Sequence, residues 1–178
     1  VKDIPQIKPV IDISLKNKQN YDTSKNDGLN IKEPSKILIP KIGIDSKVES
    51  VGFTSKGAID APKNPNNVGW FKSGPRPGER GTAVIDGHYD WLEKKPAVFS
   101  RLNELKEGDI ISIKDDSDSV IFFVVRKIKE YDSKETAMDV FYTDDNGSHL
   151  NLITCSGKWS SEENTYTGRL VVFADRML

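Results

Sequence analysis

The sequence is poor in cysteine and histidine. Its 178 residues include one cysteine, Cys155, and two histidines, His88 and His149. A single cysteine excludes a disulfide bond within the chain. The lone thiol is compatible with a cytosolic protein, in which thiols stay reduced, and equally with an extracellular protein in which a free thiol has a function. The compartment therefore has to be inferred from other features of the sequence.

The sequence also lacks an excess of charge and any long hydrophobic run. It has 26 Lys and Arg against 27 Asp and Glu, so the formal net charge is -1. This balance gives no indication that nucleic acid or an anionic membrane surface is the main partner. No apolar run approaches the roughly 20 residues needed to cross a bilayer, and no signal-peptide pattern opens the chain. The length suits one globular domain with a substantial core.

Two segments of the chain differ in composition. Residues 1–35 are rich in Lys, Asn, Asp and Ser without a sustained period, and we predict a flexible lead or tether. Residues 36–178 contain short apolar runs between turn signals, which predict an all-β domain built as a closed eight-stranded β-barrel. The predicted strands lie in "KILIPKIGI", "SKVESVGF", "GAIDAP", "GTAVIDG", "DIISI", "VIFFVVRKIKEYD", "HLNLITC" and "RLVVFADRM".

Several local features complete this prediction. Pro40 has no N–H to donate, so we expect it to interrupt the first strand at an edge or bulge. The segment "NPNNVGWFKSGPRPGERG" is predicted to be mostly loop, with Trp70 and Phe71 packed inward as an anchor. We predict one or two short helices, in "AVFSRLNEL" and "KETAMDVFYTDD".

Three residues in different parts of the chain form a candidate site for cysteine chemistry. His88 lies in a Gly-flanked loop after a strand, Cys155 ends another strand just before Ser-Gly, and Arg169 begins the last strand. A cysteine nucleophile needs a positive neighbour that lowers its pKa, a proton donor for the leaving group and a donor for the oxyanion. Taken singly, each residue is more often a buried thiol, a turn histidine or a surface salt-bridge partner.

Two other features offer alternatives. His149 precedes Cys155 by six residues in the same strand run, and even spacing would place both on one face, so it is a rival base. It would nevertheless lie ~20 Å from Cys155 by strand rise. The acidic turn with Asp115, Asp116 and Asp118 could bind calcium, but it lacks the glycine and distant glutamate of an EF-hand, which favours a solvated hairpin without metal.

The combination "LITC", an arginine fourteen positions later in "TGRLVVFA" and an upstream "GHYD" resembles the sortases, cysteine transpeptidases of Gram-positive bacterial surfaces. Further similarity lies in "IPKIGIDSKVESVG", "GAIDAPKNPNNVGWFKSGPRPGERGTAVIDGH" and "PAVFSRLNELKEGD". The resemblance extends from about Lys36 to the C-terminus. It is most like class F, with class D as the next choice. Asn151 departs from the family pattern, which usually has threonine four residues before the cysteine.

The resemblance implies roles for the matching residues. Cys155 would be the nucleophile, His88 the general acid and base, and Arg169 the donor that positions substrate and stabilises the oxyanion. Thr154 would assist at the oxyanion or contact substrate, and Ile153 would help to line the substrate groove. The implied fold is a sortase-type β-barrel with neither cofactor nor metal.

The resemblance also implies a reaction and a location. The enzyme would cleave an LPxTG-like sorting signal between Thr and Gly through a Cys155 thioester and transfer the protein to an amine of a peptidoglycan precursor or a pilin. We expect a monomer at the extracellular face of the membrane, anchored by a segment upstream of Val1. Two alternatives stay open: another cysteine peptidase or transpeptidase acting on cell-wall peptides, and a non-catalytic barrel that binds sorting signals.

Overall fold

The computed structural model describes residues 31–55 and 57–177, in which eight strands form a closed barrel. The order around the barrel is β1-β2-β3-β4-β7-β8-β6-β5. Neighbours are antiparallel except for two parallel pairs, β2 with β3 and β4 with β7. The all-β closed barrel predicted from the sequence is confirmed. The strands are β1 Pro34–Ile39, β2 Ile44–Val51, β3 Val68–Phe71, β4 Gly81–Gly87, β5 Ile110–Asp115, β6 Val120–Asp132, β7 Ser148–Ser160 and β8 Thr165–Arg176.

Helical structure in these residues is limited to short 3₁₀ turns, which lie at Pro40–Ile42, Leu92–Lys94, Leu102–Glu104 and Met138–Val140. The two predicted helices are therefore reduced to three-residue turns. None of the described helices is long and apolar enough to cross a membrane. Most of the predicted lead, residues 1–30, lies outside the described residues, and β1 begins at Pro34, two residues before the predicted domain boundary.

The barrel wall buries apolar side chains on both faces. Successive residues of a strand point to opposite faces, so Leu150 and Leu152 of β7 fill the barrel interior while Ile153 lies on the outer face. The outer face of this wall has its own apolar cluster, formed by Val84, Tyr131, Ala137, Val140, Ile153, Val171 and Phe173. This cluster adds a second layer of packing on the outside of β4, β7 and β8, next to which a site could be built on a fixed frame.

One predicted strand is wrong and one observed strand was predicted as loop. The "GAIDAP" segment makes only an isolated bridge between Phe53 and Ile59, because its backbone is turned on itself by the Thr54 N–H bond to the Ala58 carbonyl at 2.7 Å. The loop prediction fails at β3, which inserts between β2 and β4. Trp70 of β3 is buried as predicted, and Phe71 packs against the outer cluster.

Two strand boundaries also differ from the predictions. Pro40 does not interrupt a strand but begins the 3₁₀ turn between β1 and β2, which Gly43 closes at φ 69°. The Ser-Gly pair after Cys155 does not end β7, which continues to Ser160. The prediction failed there because Gly157, at φ 78°, absorbs an extra residue as a β-bulge instead of ending the strand.

Candidate active site

Cys155 and Arg169 are directly opposite each other on adjacent strands. They are Cα partners in the antiparallel pair of β7 and β8, and Arg169 is the fifth residue of β8 rather than its first residue as predicted. Directly opposite residues of paired strands point to the same face. That face is the outer one, because Ile153 and Val171, two residues from each along the strands, both lie in the outer cluster. The thiol and the guanidinium therefore share one surface of the barrel.

The β-bulge at Gly157 sets this pairing. Between the turn and the bulge Trp159 pairs with Tyr166, a register that would place Cys155 opposite Leu170 if it continued. The extra residue on β7 shifts the register by one, so that Arg169 faces Cys155 instead. A Cβ atom at residue 157 would lie 2.5 Å from the Thr167 hydroxyl oxygen, so the site requires glycine both for its positive φ and for space.

His88 reaches the same edge through β4. The parallel pairing of β4 and β7 is regular up to Asp86, which is opposite Ile153, and two more residues along each strand lead to His88 and Cys155. The Thr154 hydroxyl joins these two chain segments by donating a hydrogen bond to the Gly87 carbonyl at 2.8 Å. The sequence-predicted triad of cysteine, histidine and arginine thus lies at neighbouring positions of three adjacent strands.

The His88 loop is fixed by close packing beneath it. The Phe99 ring lies so near Gly87 that a Cβ atom there would be 2.5 Å from the ring. The Phe99 N–H donates to the His88 carbonyl at 2.9 Å. The absence of a side chain at Gly87 therefore allows the segment that contains Phe99 to dock directly against the backbone that presents His88.

The imidazole of His88 is buried and held at one nitrogen. Its Nε2 lies 2.8 Å from the Pro62 carbonyl, and because a carbonyl only accepts, Nε2 carries the proton in the neutral ring. Nδ1 has no hydrogen-bond partner among the described residues. The imidazole packs edge-to-face with Trp91, with 4.7 Å between the ring centroids. Burial lowers the pKa of His88, while the Pro62 carbonyl and the Asp90 charge partly offset this effect.

The Cys155 thiol is half-buried and protonated in the free protein. Burial raises the pKa of Cys155 to about 11, which outweighs the lowering by the Arg169 charge. Negative charges at Asp90 and Asp86 raise the pKa further. Reactive cysteines usually have a lowered pKa, so here the thiolate is a minor species until a base removes the proton.

Hydrogen bonds hold the Arg169 guanidinium in place, but not all of its N–H groups have acceptors. Nη1 donates to the Gly168 and Tyr166 carbonyls at 2.6 and 3.0 Å, and Nη2 donates to the Thr165 hydroxyl at 3.2 Å. Nε is buried and has no partner within the described residues. Burial lowers the pKa of Arg169, and a thiolate at Cys155 would raise it. Of the five N–H donors of this guanidinium, the Nε hydrogen and one Nη2 hydrogen thus remain for a bound group.

Five buried side-chain polar atoms in the described part of the chain have no hydrogen-bond partner. Three of the five such side-chain atoms in the described part of the chain are Asp86 Oδ1, Ser156 Oγ and Arg169 Nε. Burial raises the pKa of Asp86 well above its usual value. These atoms do not converge on one point, because Ser156 alternates with Cys155 along β7 and Asp86 Oδ1 lies against Gly69 of β3. Only Arg169 Nε belongs to a side chain directly opposite the thiol.

The structure adds residues that sequence reasoning did not identify. The Tyr166 hydroxyl donates to Asp90 at 2.5 Å, and the Tyr166 ring contacts Tyr89 and Trp159 edge-on at 5.6 and 5.3 Å. Burial and the Asp90 charge raise the pKa of Tyr166. These aromatic side chains form a wall beside the site. The tyrosine and aspartate that follow His88 in "GHYD" were the only sequence signal for it.

The two other predicted site residues, Thr154 and Ile153, lie on opposite faces of β7. The Thr154 hydroxyl is engaged by Gly87 and belongs to a residue that alternates with Cys155, so it does not lie at the thiol as predicted. Ile153 lies on the same face as Cys155, two residues away, as its groove-lining prediction requires, and it is buried in the outer cluster. Asn151, where the resemblance departs, donates to the Val140 carbonyl at 2.7 Å and so fixes the outer cluster.

His149 is separated from the site. It pairs with Thr82 at the start of β4, whereas Cys155 lies near the end of that strand pair, and six residues of strand span ~20 Å. Its ring nitrogens are held by Asp175 at 2.7 Å and Asp145 at 2.8 Å. The structure therefore places His149 at the far end of β7 from Cys155 and leaves His88 as the histidine nearer to the thiol.

The acidic turn between β5 and β6 is occupied by its own hydrogen bonds. Asp115 accepts bonds from Ser117, from Ser119 and from the Lys32 N–H, and Asp118 pairs with Lys114 at 2.6 Å. No group of three or more His, Cys, Asp or Glu residues in 31–55 and 57–177 is arranged to hold a metal ion. A cavity of about 390 Å³ lies beside this turn, next to Arg176, at the opposite end of β8 from Arg169.

Comparison with known proteins agrees with this geometry. The family model described as the sortase domain matches residues 37–177. Solved structures with a similar fold include sortase C-1 from Actinomyces oris, at 22% identity and TM-score 0.62, with 80% of this chain and 73% of that chain covered. The Clostridium perfringens sortase D5 transpeptidase is similar at 23% identity and TM-score 0.62, covering 82% and 79%. Sortase C1 from Streptococcus agalactiae is similar at 21% identity and TM-score 0.62, covering 81% and 67%.

No curated protein sequence matches this chain. At these low identities, the similarity to the solved structures shows the fold alone. The family model shows membership of the family, because it matches most of the chain. Sortases are cysteine transpeptidases that act at the cell surface. From the family match and a barrel that places its single thiol beside an arginine, we conclude that the chain belongs to the sortase family.

Proposed function

We propose that this protein cleaves an LPxTG-like sorting signal between Thr and Gly and transfers the new carboxyl end to a primary amine at the cell surface. The single observation that carries the proposal is the pairing of Cys155 with Arg169 on the outer face, one strand away from His88. A nucleophile, a proton-transfer group and an oxyanion donor in adjacent positions are the minimum set for acyl transfer.

In the first step the Cys155 sulfur attacks the carbonyl carbon of the scissile peptide bond. The developing oxyanion accepts a hydrogen bond from Arg169, for which the unpartnered Nε is a donor that the free protein leaves available. His88 takes the Cys155 thiol proton as the sulfur attacks and then gives it to the departing amine as the C–N bond breaks, so that a thioester on Cys155 remains. Nδ1 of His88 is the nitrogen for this transfer, because Nε2 is held by Pro62.

In the second step an amine of the acceptor attacks the thioester carbonyl. His88 removes a proton from the attacking amine, and the C–S bond breaks. Cys155 leaves as a thiolate, to which His88 returns the proton. Arg169 again donates to the oxyanion of the tetrahedral intermediate. A new amide bond forms and the enzyme returns to its starting state without gain or loss of electrons.

The protonation states support slow turnover. A thiol with a pKa of about 11 and a histidine whose pKa is lowered leave both groups neutral at pH 7. The thiolate and imidazolium pair is then a minor tautomer of the singly protonated pair.

The finer assignments follow from the same proposal. The sequence pattern favours class F, with class D as the next choice, and Ile153 lines the groove for the apolar part of the signal. The acceptor is an amine of a peptidoglycan precursor or a pilin. Residues 1–35 act as a tether to an anchor upstream of Val1, and 36–178 form the catalytic domain, which works as a monomer.

A peptide assay tests the proposal. The protein is incubated with a fluorogenic LPxTG peptide and, separately, with a peptidoglycan tetrapeptide, each with and without an added primary amine. We expect cleavage of the LPxTG peptide and formation of the amine adduct, both lost in Cys155→Ala. His149→Asn is a matched control, because it changes the other histidine, which lies at the far end of β7. Cleavage of only the tetrapeptide would favour another transpeptidase, and binding without cleavage would favour the non-catalytic barrel.

A further inference from the structure

The loop formed by residues 60–67, here called the Pro62 loop, is held by a single carboxylate of β2. Glu49 accepts hydrogen bonds from the Lys63 N–H at 2.8 Å, the Asn67 side-chain amide at 2.8 Å and the Asn64 N–H at 3.3 Å. Burial alone would raise the pKa of Glu49, but these bonds outweigh it and lower the pKa. Glu49 is therefore ionised and gathers three donors of one loop around its two oxygens.

The same loop holds the candidate catalytic histidine. The Pro62 carbonyl, immediately before Lys63, accepts the Nε2 proton of His88 at 2.8 Å. Glu49 and His88 are thus connected through two consecutive residues, with no other side chain between them. Movement of the Lys63 N–H away from Glu49 would move the Pro62 carbonyl, because the two groups belong to the same peptide unit.

The rest of the Pro62 loop has separate anchors. The Asn66 carbonyl accepts from the Ser46 hydroxyl at 2.6 Å, and the Pro65 carbonyl accepts from the Val98 N–H at 3.0 Å. Loss of the Glu49 carboxylate would therefore loosen the Pro62 end of the loop without releasing the whole loop. The effect of Glu49 on His88 can therefore be measured while the other anchors keep the loop in place.

We infer that Glu49 is a positioning residue for the proposed reaction: through the Pro62 loop it holds the Nε2 proton of His88 on the Pro62 carbonyl and so reserves Nδ1 for proton transfer at Cys155. The inference rests on the proposed function. A fixed tautomer matters because a histidine that could exchange its protonated nitrogen, or rotate about χ2, would present the wrong nitrogen to the leaving amine.

The charge of Glu49 also acts directly on His88, whose pKa it raises. The charged groups that act on the His88 ring are Asp90, which follows it in the loop, and Glu49 from β2, and both raise its pKa against the effect of burial. Burial raises the pKa of Asp86, two residues earlier on β4, and Cys155 on β7 is a neutral thiol at pH 7. Removal of the Glu49 charge should therefore lower the pKa of His88.

The test compares Glu49→Gln with Asp115→Asn. Asp115 is a matched control, because its carboxylate also accepts several bonds from one turn and has a lowered pKa, but it lies beside Arg176 at the other end of β8. In Glu49→Gln an amide N–H₂ replaces one acceptor oxygen. We expect kcat/KM for the LPxTG peptide to fall roughly 10-fold, mainly through kcat, and the acid limb of its pH profile to move to lower pH. Asp115→Asn should leave the acid limb unchanged.

A measurement independent of turnover separates this inference from the proposed function. Nuclear magnetic resonance titration of His88 in the intact protein should show a lower pKa in Glu49→Gln than in the wild type, and a larger share of the Nδ1–H tautomer. Glu49→Asp, which keeps the charge, should lie closer to the wild type and serves if Glu49→Gln folds poorly. An unchanged His88 pKa and tautomer in Glu49→Gln would overturn the inference, whether or not the protein cleaves peptides. Normal titration changes with no peptide cleavage in the wild type would instead refute the proposed function.

Discussion

Alkylation of Cys155 should depend steeply on pH and on Arg169. Burial places the pKa of the thiol at about 11 in the free protein, and the Arg169 charge is the main effect that opposes burial. The reaction with iodoacetamide proceeds through the thiolate. We therefore expect the rate for wild-type protein to rise about tenfold per pH unit between pH 7 and 10, without a plateau in that interval.

The magnitude follows from the fraction ionised. At pH 8 a thiol of pKa about 11 is about one part in a thousand thiolate, whereas free cysteine with a pKa of about 8.5 is about one quarter thiolate. The more basic thiolate is intrinsically about tenfold more nucleophilic, which offsets part of this difference. Cys155 should thus react roughly 20-fold more slowly than free cysteine at pH 8, before any reduction due to its partial burial.

The assay is the rate of mass increase of the intact protein in excess iodoacetamide at a series of pH values, with the fold checked by circular dichroism at each. Arg169→Met should move the pH dependence further upward, because it removes the positive charge beside the thiol. Arg126→Met is the matched control, since Arg126 pairs with Asp175 near the other end of β8. A midpoint at or below pH 8.5, or an unchanged midpoint in Arg169→Met, would refute the reasoning.

Three further predictions concern the frame around the site. Thr154→Val should lower the free energy of unfolding by about 1–3 kcal/mol, because the Gly87 carbonyl loses its buried donor, and urea unfolding should show Thr154→Ser closer to the wild type. Gly87→Ala should be destabilised by about 1–3 kcal/mol, because its Cβ would lie 2.5 Å from the Phe99 ring. Gly52→Ala is the control and should change the melting temperature little, because its Cβ would lie 3.6 Å from the nearest atom. Equal melting temperatures for the two variants would contradict this prediction. Arg169→Lys should reduce kcat/KM for the LPxTG peptide about 100-fold despite retaining the charge, and activity within twofold of the wild type would show that the guanidinium geometry is unimportant.

The barrel could be predicted from the sequence because most of its strands are continuous apolar runs between polar turns. The strand that the sequence did not predict, β3, has a physical explanation. The β3 strand has four residues and lies between a Pro- and Asn-rich loop and a Gly- and Pro-rich loop, so its local signal is weak. It becomes a strand because β2 and β4 supply pairing partners on both sides, which no local pattern reveals.

The candidate site was predictable as a set of residues but not as a geometry. The spacing between Cys155 and Arg169 is compatible with a hairpin, yet a regular hairpin through Trp159 and Tyr166 would put Arg169 on the opposite face from the thiol. The register shift at Gly157 brings Arg169 to the same face as the thiol. The sequence instead predicted the end of the strand at this position. Glu49 was invisible for a different reason, because its contact with His88 passes through the backbone of a distant loop.

The most direct test of the account is the trapping of the acyl-enzyme. Intact-protein mass spectrometry after brief incubation with an LPxTG peptide, without an amine acceptor, should show one adduct with the mass of the peptide portion that ends in threonine. Peptide mapping should place this adduct on Cys155, and hydroxylamine should remove it, as expected for a thioester. Cleaved peptide without any adduct on Cys155, or cleavage that persists in Cys155→Ala, would contradict the central claim.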